Sequence, residues 1–236
     1  MGGTELRPVA VSVVVPTHNR AKLVDRCLRA LVAQLHPPSD VVVIDDASSD
    51  STQDLLRAWQ QRRLPFCLRV ERVARNAGPA RARKRGVELA RGEWIAFTDD
   101  DCEPESGWLR ALVNEAQRAK PNVAGIGGRV LPASPGLVAD YMTIHGILDP
   151  PPSCKYLVTA NCIFRRSGFL AVGGFDEAVT KLGGEDPGLS FAITRAGHAL
   201  TCCAEAVVRH HYREIAIDFL RTFFRYGRGV RLVMGR

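Results

Sequence analysis

Two short runs of mostly β-branched residues, Val11–Val15 and Val41–Ile44, do most to limit the fold of this chain. Runs of this length without a regular polar alternation are typical of buried strands that are covered on both faces. Between them, Ala21–Leu35 has the apolar spacing of a helix, which ends at Pro37 and Pro38. A strand, a helix and a second strand in this order indicate a parallel β-α-β unit.

The same alternation continues through the first half of the chain. The further predicted elements are a helix that contains Leu55, Leu56 and Trp59, a strand at Cys67–Val70, a helix at Gly78–Ala90, a strand at Glu93–Thr98 and a helix at Leu109–Ala119. We therefore predict an α/β fold with a mostly parallel central sheet and helices on both faces. The ligand crevice of such a sheet lies beyond the carboxyl ends of its strands.

The composition indicates which kinds of molecule this protein could bind. The chain has 236 residues, 46% of them hydrophobic, which is enough for one sizeable core. A formal charge of +7 favours anionic partners such as phosphorylated small molecules or anionic lipid. We expect no nucleic acid among them, because no basic strand interleaved with aromatic residues is present.

The expected compartment is the cytoplasm. The seven cysteines include no CxxC pair, so we expect reduced and buried thiols. The first nine residues lack the apolar stretch of a secretion signal. No apolar run approaches the ~20 residues that span a bilayer.

Three consecutive carboxylates, Asp99, Asp100 and Asp101, follow the predicted strand at Glu93–Thr98. In an extended segment Asp99 and Asp101 would point the same way. Such a cluster suits Mg²⁺ or Mn²⁺, with waters and substrate phosphates completing the coordination. The alternative is a solvated acidic turn. Pro16-Thr17 and Asp45-Asp46 also follow predicted strands, so three polar clusters should meet at one edge of the sheet.

A second acidic pair, Glu185 and Asp186, precedes a predicted helix at Leu189–Arg195 that is closed by Gly197. Carboxylates at the start of a helix interact well with the positive end of its dipole. By position alone this pair could consist of helix caps.

Taken in order, these motifs resemble those of family 2 glycosyltransferases, which are inverting enzymes with the GT-A fold. The matching segments are Val15–Arg20, Ile44–Thr52, Asn76-Ala77-Gly78, Thr98–Asp101 and Gly184-Glu185-Asp186. The resemblance covers residues 11–212. It implies a GT-A domain over residues 8–212, followed by a C-terminal segment over residues 213–236.

The resemblance implies a nucleotide-diphosphate sugar as donor, with uridine as the base found most often in the family. Pro16 and Thr17 would hold the base, Asp46 would contact it, and Asp99 would face the ribose. The residues assigned to the nucleotide are Pro16, Thr17, Asn19, Arg20, Asp46, Asn76, Gly78, Arg83, Asp99 and Asp100. Asp101 and His210 would bind a divalent cation, Mg²⁺ or Mn²⁺, that stabilises the leaving diphosphate. The alternative for His210 is a half-buried surface pair with His211.

On the acceptor side the resemblance assigns the general base to Asp186, which would take the proton of the attacking hydroxyl. A single carboxylate and an in-line attack would invert the anomeric carbon. The residues assigned to the hydroxyl acceptor are Asn161, Gly174, Phe175, Asp176 and Glu185. Trp94 and Trp108 are interpreted as core residues.

The C-terminal segment is basic and amphipathic. Arg221, Arg225 and Arg228 fall on one helical face, and the other face carries Phe219, Phe223, Tyr226 and Val230. A helix of this type can lie on an anionic membrane, here the inner membrane face. Packing on the domain or against a partner subunit is the alternative, and the oligomeric state is open.

Two other functions compete with glycosyl transfer. A sugar-1-phosphate nucleotidyltransferase would share the α/β architecture, but it would need a glycine-rich triphosphate loop after the first strand, where this chain has Pro16–Arg20. A non-catalytic nucleotide- or anion-binding module would not need a base beside a metal site.

Overall fold

A computed structural model describes residues 9–149, 154–176, 184–213 and 215–234. The strands are β1 (Val11–Thr17), β2 (Asp40–Asp45), β3 (Cys67–Arg72), β4 (Trp94–Thr98), β5 (Cys102–Pro104), β6 (Val123–Pro132), β7 (Asn161–Arg165) and β8 (Ala199–His210). The helices are α1 (Ala21–Val32), α2 (Thr52–Gln60), α3 (Pro79–Leu89), α4 (Trp108–Arg118), α5 (Leu137–Ile144), α6 (Arg166–Ala171), α7 (Glu185–Arg195) and α8 (Ala216–Met234).

The strands form one sheet in the order β3-β2-β1-β4-β7-β6-β8-β5. The first four are parallel, as are β6 and β8, whereas β7 runs antiparallel to both of its neighbours and β5 runs antiparallel to β8. The predicted α/β fold with a mostly parallel sheet is confirmed. Each antiparallel pair includes β7 or β8, which come from the second half of the chain, where the sequence pattern predicts no strand order.

Helices cover both faces of the sheet, which explains the continuous apolar runs. Alternate residues of β1 enter opposite layers of the core, Val13 and Val15 on one side and Val14 on the other. Trp94 and Trp108 are both buried in the first layer, in agreement with their interpretation as core residues.

The strand register brings the polar clusters to one edge. Thr17 at the end of β1 pairs with Asp45 at the end of β2, and β4 ends beside β1 with Asp99 directly after it. Cys102 of β5 pairs with His210 of β8, so this histidine lies next to Asp101. The prediction that three clusters meet at the carboxyl ends of the strands is therefore confirmed.

Asn161 has a different place from the one predicted for it. Its side chain is 1% exposed. Its Oδ1 accepts a bond of 2.7 Å from Trp108 Nε1, and its Nδ2 donates to the carbonyls of Arg129 and Ala206 at 2.8 Å each. All of its polar atoms are engaged inside the protein, so its assignment to the acceptor pocket is wrong.

We expect Asn161→Leu to lower the free energy of unfolding by about 3 kcal/mol, because each buried polar group left without a partner costs about 1–3 kcal/mol. Urea unfolding would measure the change. Asn114→Leu, at an exposed position of α4, is the matched control and should change stability little. Equal losses in both variants would contradict a structural role for the Asn161 network.

The cysteines also depart from expectation. Cys154 and Cys202 are paired in a disulfide, and Cys67 is exposed. The predicted reduced state is therefore wrong for Cys154 and Cys202, and the predicted burial is wrong for Cys67, which is free. Cys27, Cys102, Cys162 and Cys203 are free and buried, as predicted.

Among the residues that the structure describes, no helix is long and apolar enough to cross a membrane. The predicted positions of the Arg225, Tyr226 and Val230 side chains, and the ends of the two predicted domains at residues 8 and 236, lie outside the described part of the chain.

Candidate active site

A cleft of about 500 Å³ lies beyond the carboxyl ends of the strands. One wall is polar and consists of Pro16, Thr17, His18, Arg20, Asp46, Asn76, Gly78, Arg83, Asp99, Asp100, Asp101, Glu185 and His210. The opposite wall is largely apolar and includes Val138, Met142, Leu148, Phe219 and Phe223. The cleft thus contains nine of the ten residues predicted for the nucleotide.

Asn19 is the exception. Its Oδ1 accepts bonds from the backbone N–H groups of Ser49 at 2.7 Å and Asp50 at 3.3 Å, and its own N–H donates to Ser48 Oγ. Its φ of +53° is tolerated better by Asn than by most residues. Asn19 ties the loop after β1 to the loop after β2 and does not line the cleft, so the prediction of a nucleotide contact is corrected.

Asp46 fixes the start of α3. Its carboxylate accepts bonds from the N–H groups of Ala77 at 2.9 Å and Gly78 at 2.8 Å. Gly78 has φ of +91°, a conformation that favours glycine at this turn. The Asn76-Ala77-Gly78 motif is therefore held against the cleft by a carboxylate from the neighbouring strand.

The aspartate triplet turns rather than extends, and its side chains diverge. Asp100 and Asp101 both bind Nη1 of Arg20, at 2.6 and 2.7 Å. Asp100 also accepts a bond of 2.8 Å from Thr17 Oγ1. Asp99 instead pairs with Arg83 at 2.5 Å. The expectation that Asp99 and Asp101 point the same way is wrong, because a turn follows β4 at this point.

Burial and neighbouring charges move the pKa values of Asp99 and Asp100 in opposite directions. Burial raises the pKa of Asp100 to about 6, with a further contribution from the charge of Asp101 that Arg20 opposes. For Asp99, burial also acts to raise the pKa, but Arg83 outweighs it and the net shift is downward. The buried guanidinium of Arg83 and the partly exposed one of Arg20 thus compensate much of the negative charge at this edge.

Asp101 and His210 are suitably placed to share a cation. Asp101 Oδ1 lies 3.4 Å from His210 Nε2. Two adjacent ligands of an octahedral Mg²⁺ site would lie about 3 Å apart, so the spacing fits. The sulfur of Cys102 is within 4.8 Å of both, but burial raises the pKa of this thiol well above its usual range and keeps it protonated. The donors that remain are a carboxylate oxygen, which suits Mg²⁺ or Mn²⁺, and an imidazole nitrogen, which favours a transition metal such as Mn²⁺ over Mg²⁺.

The second acidic pair lies at the start of α7, after Gly184 with φ of +96°. Glu185 lines the cleft, whereas Asp186 lies beside it and accepts a bond of 3.1 Å from the N–H of Thr159 on Oδ2. Among the residues that the structure describes, Oδ1 of Asp186 is enclosed and has no hydrogen-bond partner. Burial, followed by the charge of Glu185, raises the pKa of Asp186 to about 7, against the opposing effect of Arg83.

Arg83 joins the two acidic clusters. Its guanidinium contacts Asp99 and lies 3.6 Å from Glu185 Oε1, while the side chain is only 5% exposed. Burial would lower the pKa of Arg83, but Asp99, Asp186 and Glu185 together raise it above its ordinary value. The aspartate triplet and the Glu185-Asp186 pair therefore meet around one buried positive charge.

Most of the predicted acceptor pocket does not line the cleft. Phe175 is buried against Phe97 and Phe169, with ring centroids 5.7 and 5.4 Å away. A Cβ atom at Gly174 would lie 2.7 Å from the Phe169 ring, so the glycine permits close packing there. These two assignments are corrected to structural roles. Asp176 is exposed outside the cleft lining, and only Glu185 of the predicted set is part of it.

Sequence reasoning missed His18 and the apolar wall. His18 lines the cleft beside Pro16 and Thr17, and its Nδ1 lies 2.7 Å from the carbonyl oxygen of Asp46. The wall formed by α5 and α8 had one signal in the sequence, the aromatic face at Phe219 and Phe223. Tyr141 of α5 packs edge-on against both rings, at centroid distances of 5.2 and 5.7 Å. This face of α8 therefore packs on the domain, which is the alternative to membrane contact for the C-terminal segment.

Comparison with known proteins adds an independent finding. The sequence model of "Glycosyl transferase family 2" matches residues 12–170. The chain is 31% identical over 230 residues to the pre-mycofactocin glycosyltransferase of Mycobacterium tuberculosis, covering 92% of this chain and 46% of that protein. The chain thus spans about half the length of this relative.

Solved structures share the fold. A mannosyltransferase from Pyrobaculum calidifontis, in complex with GDP-Man and Mn²⁺, superposes with a TM-score of 0.74 at 22% identity, over 94% of this chain and 64% of that one. GalNAc-T7 with UDP, GalNAc and Mn²⁺ gives a TM-score of 0.69 at 18% identity, over 97% and 48% of the two chains. Both comparisons support the predicted GT-A architecture.

Proposed function

The chain belongs to glycosyl transferase family 2, and from that premise we propose that it transfers a sugar from a nucleotide-diphosphate donor to an acceptor hydroxyl with inversion. The observation that carries the proposal is the position of Arg83, which joins Asp99 to Glu185 at one cleft, with Asp186 directly next to Glu185 and close enough to influence Arg83 electrostatically. A leaving group and a proton acceptor are needed on opposite sides of the reacting carbon, and these two clusters supply candidates for both sides.

The donor would lie along the polar wall. Pro16, Thr17 and Asp46 would surround the base, and Asp99 would face the ribose. The diphosphate would lie near Arg20 and the pair formed by Asp101 and His210. The similar solved structures hold GDP-Man in one case and UDP in the other, which supports the nucleotide-diphosphate class but not one base. The preference for uridine rests on the family resemblance alone.

Asp101 and His210 would hold a divalent cation, because the distance between their donor atoms fits two adjacent ligands of one ion. When bound, such a cation supplies Lewis-acid stabilisation of the departing diphosphate. Arg20 would add a fixed positive charge on the same side, because its guanidinium is already held by Asp100 and Asp101.

Asp186 would act as the general base. Its Oδ1 makes no hydrogen bond with the described residues, so it would be uncommitted and able to take the proton of a hydroxyl that is brought into contact with it. As that O–H bond breaks, the hydroxyl oxygen would bond to the anomeric carbon while the bond from this carbon to the diphosphate oxygen breaks. The Thr159 N–H holds the other carboxylate oxygen and fixes the orientation of the group.

A binding panel tests this function. We expect UDP or another nucleoside diphosphate to raise the melting temperature only when Mg²⁺ or Mn²⁺ is present, because phosphate and cation share one end of the cleft. Nucleosides without phosphate are the control and should have little effect. Slow hydrolysis of the matching sugar nucleotide should accompany binding. Pyrophosphate release from nucleoside triphosphates, or no response to any nucleotide, would contradict the proposal.

A further inference from the structure

The two faces of α8 have different surroundings. Phe219, Thr222 and Phe223 face the cleft. A helix turns about 100° per residue, so the opposite side falls within an arc of about 100°. Six exposed residues occupy that arc, namely Ile217, Leu220, Arg221, Phe224, Arg228 and Arg231. The aromatic face that the sequence predicts for membrane contact therefore lines the cleft. A second set of apolar side chains lies on the outward side of α8.

Helix α5 also carries an exposed apolar set. Leu137 and Ile144 are strongly exposed, and Tyr141 between them is exposed in part. Tyr141 contacts Phe219 and Phe223, which face the cleft, so this set adjoins the cleft side of α8. On the outward side of α8, Ile217, Leu220 and Phe224 are 52%, 62% and 68% exposed. We call these three residues the outer patch.

Charge indicates what the outer patch contacts. The sequence of α8 contains four arginines and one acidic residue, Asp218. The guanidinium of Arg228 lies 5.9 Å from the ring centre of Phe224, so positive charge borders the apolar side chains directly. A partner with acyl chains beneath a layer of negative headgroups complements both properties.

We propose that the outer patch docks on an anionic lipid bilayer, with Arg221, Arg228 and Arg231 at the headgroups and the apolar side chains below them. The contact is an interfacial one, since none of the described helices is suited to span a membrane. The proposal does not depend on transferase activity, because the patch lies on the other side of α8 from the cleft lining.

Co-sedimentation of the full chain with lipid vesicles tests the proposal. We expect binding to vesicles of equal parts phosphatidylglycerol and phosphatidylcholine, weak binding to phosphatidylcholine alone, and loss of binding as salt rises. Leu220→Asp should weaken binding at least tenfold. Leu35→Asp is the matched control, because Leu35 is also 62% exposed but lies beyond α1. Its binding should equal that of the unmodified protein.

A second pair of variants tests the charge. Arg228→Gln should weaken binding about fivefold, the effect of one arginine near an anionic surface, whereas Arg63→Gln, at an exposed position outside α8, should not. Equal binding by the Leu220 and Leu35 variants would overturn the proposal. Strong salt-insensitive binding to the neutral vesicles would also overturn it. So would a lipid-independent dimer that Leu220→Asp dissociates, because the patch would then be covered by a second copy.

Discussion

Asp186→Asn is expected to lower the rate of sugar transfer by about 10²–10⁴-fold while nucleotide binding is retained. The amide has nearly the same shape as the carboxylate, and its oxygen can still accept the Thr159 N–H bond. It cannot accept the proton of an attacking hydroxyl, so only the chemical step should suffer. Initial rates with a saturating donor, together with a thermal shift by nucleoside diphosphate and Mn²⁺, separate the two effects.

The pH dependence gives a second readout for the same residue. Because the pKa of Asp186 is raised to about 7, the rate of the unmodified enzyme should increase with pH through that value as the carboxylate ionises. Stability should change in the opposite direction. The folded protein holds this proton more tightly than the unfolded chain, so the stabilising effect of the neutral form is lost between about pH 4 and pH 7.

Glu185→Gln is the matched control for Asp186→Asn, because it changes the adjacent carboxylate at the cleft. In the Glu185 variant the rate of sugar transfer should still increase with pH, whereas this increase should be absent in the Asp186 variant. If Asp186→Asn abolishes nucleotide binding, or if it transfers sugar at an undiminished rate, the general base lies elsewhere.

Asp101→Asn is expected to weaken the binding of Mn²⁺ by about 100-fold or more, since even groups that only orient a metal ligand contribute 10–100-fold. Asp101 is one of the two side chains whose donor atoms lie 3.4 Å apart, and an amide oxygen is a weaker ligand than a carboxylate. Titration of free Mn²⁺ by electron paramagnetic resonance would measure the affinity without relying on turnover.

Asp100→Asn provides the comparison for the metal site. Asp100 shares Arg20 with Asp101 and bonds to Thr17, but it makes no contact with His210 that would mark it as a ligand. Its substitution should leave Mn²⁺ affinity within a few-fold of the original. Similar losses in both variants would mean that the triplet acts through general charge and not through a cation site at Asp101 and His210.

The sheet and the location of the cleft could be predicted from the sequence because they depend on local periodicity. Val13, Val14 and Val15 enter opposite layers by the simple alternation of a strand, and parallel strands must end at the same edge. The polar residues that follow β1, β2 and β4 could therefore be placed together without any knowledge of distant contacts.

Side-chain directions could not be predicted in the same way. The chain turns after β4, so Asp99 and Asp101 are not part of one extended strand. Asp99 pairs with Arg83, whereas Asp101 pairs with Arg20. Asn161 and Phe175 resemble acceptor contacts by their order in the chain, yet tertiary packing buries both. The cleft wall at α5 and α8 depends on contacts between distant segments, which no local pattern encodes.

The two contacts of Arg83 determine whether the two ends of the cleft bind their ligands independently. One guanidinium interacts with Asp99 on the proposed donor side and with Glu185 on the proposed acceptor side. A ligand that draws Asp99 away leaves Arg83 free to hold Glu185 more firmly, and reciprocity requires the reverse to be equally true. Occupancy at one end of the cleft therefore sets the affinity at the other, so the two substrates should bind cooperatively rather than independently.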